Sequence, residues 1–195
     1  QDQLGVDRPD LGVLFADMEY DASAPVRDPR LLQPKAEAEI AFVLREDLAD
    51  GELDLDQVTA AVDYAVAAIE ICDSRIQGWD ISFADTVADN ASAGGYVLGT
   101  ERRTLDDFKP VDATMTMTVT GQEDSTGTGA ASLGDPLLAL QWLARQARDL
   151  GDPLRAGQVI LSGALGPMRP LAPGAEVHVD IDGLGSVSMQ LSEEK

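Results

Sequence analysis

Residues 36–44 read AEAEIAFVL, and the alternation in this stretch decides the fold class. In an extended chain Ala38, Ile40, Phe42 and Leu44 point one way, while Glu37, Glu39, Ala41 and Val43 point the other. The segment therefore reads as a strand carrying two glutamates on one face. Beyond a turn at Asp50-Gly51, the spacing of Val58, Ala61, Val62 and Ala65 predicts an amphipathic helix capped near Asp54 or Asp56. Residues 66–73, VAAIEICD, either continue that helix or form a buried strand, because a short apolar run does not reveal its period. As a strand, it places Glu70 and Cys72 on one face.

Further along, residues 114–120 alternate like a strand and the following GQEDSTGTG reads as turn. Asp135 then caps a helix with Pro136 in its first turn and an apolar stripe of Leu137, Leu140, Ala144 and Ala147, ending near Gly151. Strands are expected at about 158–162, 176–181 and 186–191. The pattern is α+β, mostly strand with a few packed helices.

The 195 residues, 44% of them hydrophobic, suffice for one substantial core and are read as a single domain over 1–195. Proline and glycine are spread along the chain, and no window repeats. The opening QDQLGVDRPD has neither a basic region nor an apolar run, and it begins on Gln1, so the expectation is a chain that starts partway into a longer protein. No apolar stretch approaches the roughly 20 residues of a membrane span, and the one cysteine, Cys72, excludes an internal disulfide framework. A cytoplasmic protein is expected. The formal charge of −21, from 35 acids against 14 bases, makes nucleic acid and anionic membranes unsuitable partners.

Three acids stand out chemically. Glu37 and Glu39, two apart on a strand, are close enough to clasp one cation, although alternating acids also occur on solvated strand faces. Glu70 sits in the apolar run AVAAIEIC, where burial of a lone carboxylate is costly, so a cation, an arginine or exposure must compensate it. Together the three make an all-oxygen site suited to Mg²⁺ or Mn²⁺. His178, the only histidine, shares a strand face with Glu176 and Asp180 and reads as a surface residue. Cys72 has no histidine near it in sequence and reads as a buried structural thiol. In LSGALGPM, residues 161–168, Ser162 ends a strand where backbone N–H groups and a hydroxyl suit a carboxylate. Dinucleotide, P-loop and nucleophile-elbow motifs are absent.

Four stretches, in order, resemble the hydratase branch of the fumarylacetoacetate hydrolase superfamily: LGVDRPDLGVLFADM at 4–18, QPKAEAEIAFVL at 33–44, SRIQGWDISFADTVADNAS at 74–92 and VILSGALGPM at 159–168. With GLGSVS at 183–188 the likeness spans nearly the whole chain. It implies a mixed β-rich roll, makes residues 66–73 a strand, and implies a divalent metal held by Glu37, Glu39 and Glu70. By the same likeness Asp10 serves as an acid–base group near the substrate and Ser162 contacts the substrate carboxylate.

The activity implied is addition of water to 2-hydroxypenta-2,4-dienoate, giving 4-hydroxy-2-oxopentanoate in the breakdown of aromatic compounds. Decarboxylation of 4-oxalocrotonate, which shares the metal site, is the nearest alternative. C–C bond hydrolysis and a non-catalytic partner subunit follow. The resemblance also implies a homo-oligomer that associates with neighbouring pathway enzymes. The hydratases it resembles carry a G-x-K-x-G segment with a catalytic lysine upstream of the matched region; none of Lys35, Lys109 and Lys195 lies in such a motif, and a missing N-terminal segment is the expectation.

Overall fold

The computed structural model describes residues 9–194. Two sheets face each other. The first runs β1 (Glu19–Tyr20), β4 (Ala93–Leu98), β3 (Val62–Cys72), β2 (Lys35–Leu44), β7 (Val159–Leu161), with β8 (Arg169–Pro170) pairing to the start of β2. Only the β1–β4 pair is parallel. The second is a four-stranded antiparallel sheet in the order β10 (Gly185–Gln190), β9 (Glu176–Ile181), β5 (Thr114–Val119), β6 (Ser125–Thr128). Helices α1 (Leu55–Ala61), α2 (Phe83–Ala88) and α3 (Pro136–Asp149) complete the α+β fold. Among the described residues no helix is long and apolar enough to cross a membrane.

The main core lies between the sheets. Ala36, Ala38, Ile40, Phe42 and Leu44 of β2 and Ile69 and Ile71 of β3 meet Met115, Met117, Val177, Val179 and Val187 of the second sheet. That second sheet is wet on its other side: β5 and β9 alternate strictly between buried and exposed positions, as expected of an antiparallel sheet with one covered face. His178 is on this exposed face, against the Ser188 hydroxyl at 2.8 Å, as read from the sequence.

The predicted helix through Val62 and Ala65 is corrected. Asp54 does cap α1, accepting from the Gln57 N–H at 2.8 Å, but the helix stops at Ala61 and the chain turns directly into β3. Val62 pairs with Leu44 and Ala65 bonds Arg103. From residue 62 both faces of the strand are largely covered, so its apolar residues run almost continuously and mimic a helical stripe. Residues 66–72 are strand, as the resemblance implied. The turn-rich GQEDSTGTG also contains a strand, β6.

Helix α3 follows the reading closely. Asp135 accepts from the Leu137 N–H at 2.8 Å, Pro136 opens the first turn, and Gly151 leaves it at φ +90°. Leu140 on its buried stripe is fully enclosed, whereas Leu138 is 41% exposed. Leu140→Ala should therefore cost about 2–5 kcal/mol through lost transfer energy and a residual cavity, and Leu138→Ala less than about 1 kcal/mol. Urea unfolding of both variants checks the contrast; equal losses would contradict the packing described.

Candidate functional site

The far face of the first sheet carries a small apolar cluster, Ala41, Val66 and Ala68, and then changes character. The β2–β3 register sets Glu37 directly opposite Glu70, with Glu39 two residues along on the same face. Ligand atoms of Glu37, Glu70 and Cys72 all lie within 4.8 Å of one another. The Glu70 carboxyl donates a hydrogen bond to Glu39, and the Cys72 thiol donates to Glu37. Glu39 is 1% exposed and also accepts the backbone N–H of Gly163 at 2.8 Å.

Desolvation dominates the electrostatics, with Glu39 fully buried and Glu37 and Glu70 half-buried in the cleft wall. It raises all three carboxyl pKa values, and mutual repulsion raises those of Glu39 and Glu70 further. Glu39 is pushed up to about 7, and its bonds from Glu70 and Gly163 hold it from going higher. Glu70 is raised well above its usual range, and burial followed by the field of Glu37 does the same to the Cys72 thiol. Among the described residues no lysine or arginine forms an ion pair with these acids. Lys35, whose field favours ionised Glu37, stacks its ammonium 4.0 Å from the centre of the Trp79 ring. Three neighbouring carboxyls with no ion-paired lysine or arginine among the described residues suit a hard divalent cation, which would add positive charge there.

The acids open into a cleft of about 940 Å³ whose walls include Trp142 and Leu143 of α3, Met168 and Trp79. Asp10 lines it, half-buried, with its carboxylate accepting the Thr86 hydroxyl at 2.5 Å. Ser162 lines it too; its backbone N–H is spent on the Ile40 carbonyl, and among the described residues its hydroxyl makes only a long 3.5 Å contact to the Gly163 carbonyl. All five residues singled out in the sequence thus border one cavity, and His178 stands apart from it.

Several features escaped the sequence reading. The loop after β7 does hold a carboxylate by a backbone N–H, but the carboxylate belongs to Glu39. Buried Ser92 lines the cleft with a hydroxyl that has no hydrogen-bond partner among the described residues. Tyr96 and Glu19, also on the cleft, lie in segments without a clear period. The stretch 74–92 serves mainly as a clamp. Asp73 accepts the Leu32 and Gln33 N–H groups, the Gln33 amide bonds the Ser74 and Ile76 carbonyls, and Arg75 forks onto Asp89 and the Asp73 and Ala93 carbonyls.

This clamp fixes the ends of β2 and β3 at the level of the acids, joining two of the stretches that carried the resemblance. The family model for the fumarylacetoacetate (FAA) hydrolase C-terminal region matches residues 5–192. The chain belongs to the fumarylacetoacetate hydrolase family. It is 52% identical over 188 residues to a TodF product hydratase of Pseudomonas putida, covering 96% of this chain and 70% of the relative. With a 2-keto-4-pentenoate hydratase of Burkholderia vietnamiensis it shares 50% over 193 residues, covering 99% and 74%. Among solved structures, a 4-oxalocrotonate decarboxylase from Pseudomonas putida complexed with magnesium and adipate superposes with a TM-score of 0.85 at 32% identity, covering 97% of this chain and 72% of that one. The same enzyme has also been solved with calcium and acetate.

Within this family member, Gly163 makes a sharp test of the loop. Its φ of +98° is accessible to glycine and strained for other residues. Gly163→Ala should pull the N–H away from Glu39 and weaken divalent-metal binding roughly 10-fold, the usual scale for losing a partner that orients a ligand. Calorimetric titration with Mn²⁺ measures it; unchanged affinity would mean that Glu39 does not depend on this contact.

Proposed function

We propose that the chain is a divalent-metal-dependent hydratase that adds water to 2-hydroxypenta-2,4-dienoate, the enol form of 2-oxopent-4-enoate, to give 4-hydroxy-2-oxopentanoate. The observation that carries the reading is Glu37 facing Glu70 across the β2–β3 pair, with Glu39 bonded to Glu70, on the wall of a cleft in a chain half-identical to proteins named 2-keto-4-pentenoate hydratase. The three glutamates would hold Mg²⁺ or Mn²⁺. When bound, the ion supplies a Lewis acid for negative charge on the substrate's 2-oxygen.

The chain's own groups do the rest. The Ser162 hydroxyl, nearly free at the cleft wall, hydrogen-bonds the substrate carboxylate and fixes its orientation. Trp142, Leu143 and Met168 line the same cleft and limit stray water around the bound substrate. Asp10, held by Thr86, acts as acid–base group for the transfer that moves the enol proton to C5 and leaves a conjugated ketone. Water then adds across C3 and C4.

Decarboxylation of 4-oxalocrotonate is the second reading, favoured by the superposition on that enzyme at 32% identity. One experiment separates them: loss of dienoate absorbance with Mg²⁺ or Mn²⁺, run beside CO₂ release from 4-oxalocrotonate. Metal-dependent dienoate loss yielding 4-hydroxy-2-oxopentanoate is expected. CO₂ release alone would make the protein a decarboxylase, and neither activity would favour a non-catalytic subunit. The same reading makes the protein a cytoplasmic homo-oligomer beside other enzymes of aromatic catabolism; exposed Val13, Phe15 and Leu150 around the cleft support a self-association surface.

A further inference from the structure

The sheet register carries a row of polar groups beyond the metal-ligating acids. Glu19 pairs with Tyr96, Tyr96 with Glu70, and Glu70 with Glu37, so β1, β4, β3 and β2 each contribute one residue to a line across the sheet. Directly paired residues project to the same face, and all four line the cleft. Strands lie about 4.8 Å apart, which puts Tyr96 one strand spacing from Glu70 and Glu19 two, on the side away from Glu37. The Tyr96 hydroxyl donates to the Glu19 carboxylate at 3.3 Å. The ring is 5% exposed, so the hydroxyl is held in place, while Glu19 is open to solvent at the strand edge.

Hydration of the dienoate needs two separate proton movements, and among the described residues Asp10 accounts for one. A substrate whose carboxylate reaches Ser162 at the β7 edge and whose 2-oxygen lies at the acid cluster would direct C3 and C4 across β3 toward β4. The Glu19–Tyr96 pair is a built acid–base unit at that range with no other assignment. Resting on the hydratase reading above, we propose that Tyr96 and Glu19 form the second acid–base station, which activates the water that adds to C4. The water oxygen bonds to C4 as the C3–C4 π pair moves toward the C2 carbonyl. The water's proton passes to the Tyr96 oxygen while the tyrosine proton passes to Glu19. Return of a proton through Tyr96 to C3 completes the addition of one water and leaves both groups as they began.

The two half-reactions can be watched separately by NMR in D₂O, since ketonisation places deuterium at C5 and hydration produces the 4-hydroxy acid. In Tyr96→Phe, which keeps the packed ring, ketonisation should stay within about 3-fold of wild type while hydration falls roughly 10²–10³-fold, the usual scale for one acid–base group. Glu19→Gln, at an exposed position that does not threaten folding, should show the same split, and the pH profile of hydration should lose one limb. Mn²⁺ affinity by calorimetry should be unchanged in both. Hydration within about 3-fold of wild type in both variants would overturn the assignment. So would a parallel fall of both half-reactions with lost metal affinity, which would make the pair structural. A wild-type protein that ketonises the dienoate but never hydrates it removes the hydratase reading and this station together, whereas a split confined to the variants bears on the station alone.

Discussion

Glu70→Gln is expected to abolish metal-dependent turnover, lowering kcat/KM by roughly 10³-fold or more, or about 4 kcal/mol of transition-state stabilisation. The size follows from where the residue stands. It faces Glu37 across the strand pair and bonds Glu39 through its side chain, so it is the one acid in contact with both others. Its loss takes one negative donor from the site and also frees Glu39 from its partner. Mn²⁺ affinity measured by calorimetry should weaken at least 100-fold, more than the roughly 10-fold expected when a supporting group is lost. His178→Ala, on the wet face of the other sheet, should leave both quantities unchanged. Retention of wild-type metal affinity in Glu70→Gln would remove Glu70 from the site and leave a half-buried carboxyl in an otherwise apolar strand without an explanation.

How much of this was legible in the sequence depended on whether a residue's partner was local. The strand at 36–44 could be read because its alternation is intrinsic to nine consecutive residues, and α3 because Asp135, Pro136 and Gly151 punctuate it from within. Glu70 announced itself as a charge in an apolar run. The α1–β3 boundary could not be read: Val58, Ala61, Val62 and Ala65 fit a helical period by chance, and pairing of Val62 with Leu44 overrides it. Strand β4 was hidden by Gly94 and Gly95, whose small size is demanded from a distance, since a Cβ on Gly95 would collide with the Tyr20 ring. Strand β6 was taken for turn because of Gly127, where a Cβ would lie 1.8 Å from the Leu165 carbonyl oxygen. The site divides the same way. Its acids were visible by type and spacing, but the Gly163 N–H on Glu39 and the Glu19–Tyr96 row exist only once the strands are in register.

Without metal, the protein should be less stable at pH 8 than at pH 5.5, opposite to the usual behaviour of paired surface carboxylates. A carboxyl whose pKa is raised on folding keeps its proton in the folded state after the unfolded chain has released it. Its contribution is fully present below the unfolded value and is lost as pH rises through the folded one. For Glu39 that window runs from 4.5 to about 7, worth on the order of 3 kcal/mol, and Glu37 and Glu70 shift in the same direction. Asp28, lowered to about 2 by Arg30, acts oppositely, but its contribution is lost only as pH falls below the ordinary carboxylate range. About 2 kcal/mol of this is lost between pH 5.5 and 8, so at roughly 2–4 °C per kcal/mol for a chain of this size the metal-free Tm should fall by about 4–8 °C. A divalent cation at 100 times its Kd returns about 2.7 kcal/mol to the folded state, so Mg²⁺ or Mn²⁺ should largely close the gap at pH 8 and do little at pH 5.5, where protons compete for the same oxygens. Glu70→Gln should flatten the metal-free profile, because it deletes one of the raised carboxyls, while losing the response to metal. A metal-free Tm that rises from pH 5.5 to 8, or one at pH 8 that ignores added cation, would mean that the three carboxyls are solvated and do not form a closed, cation-seeking cluster.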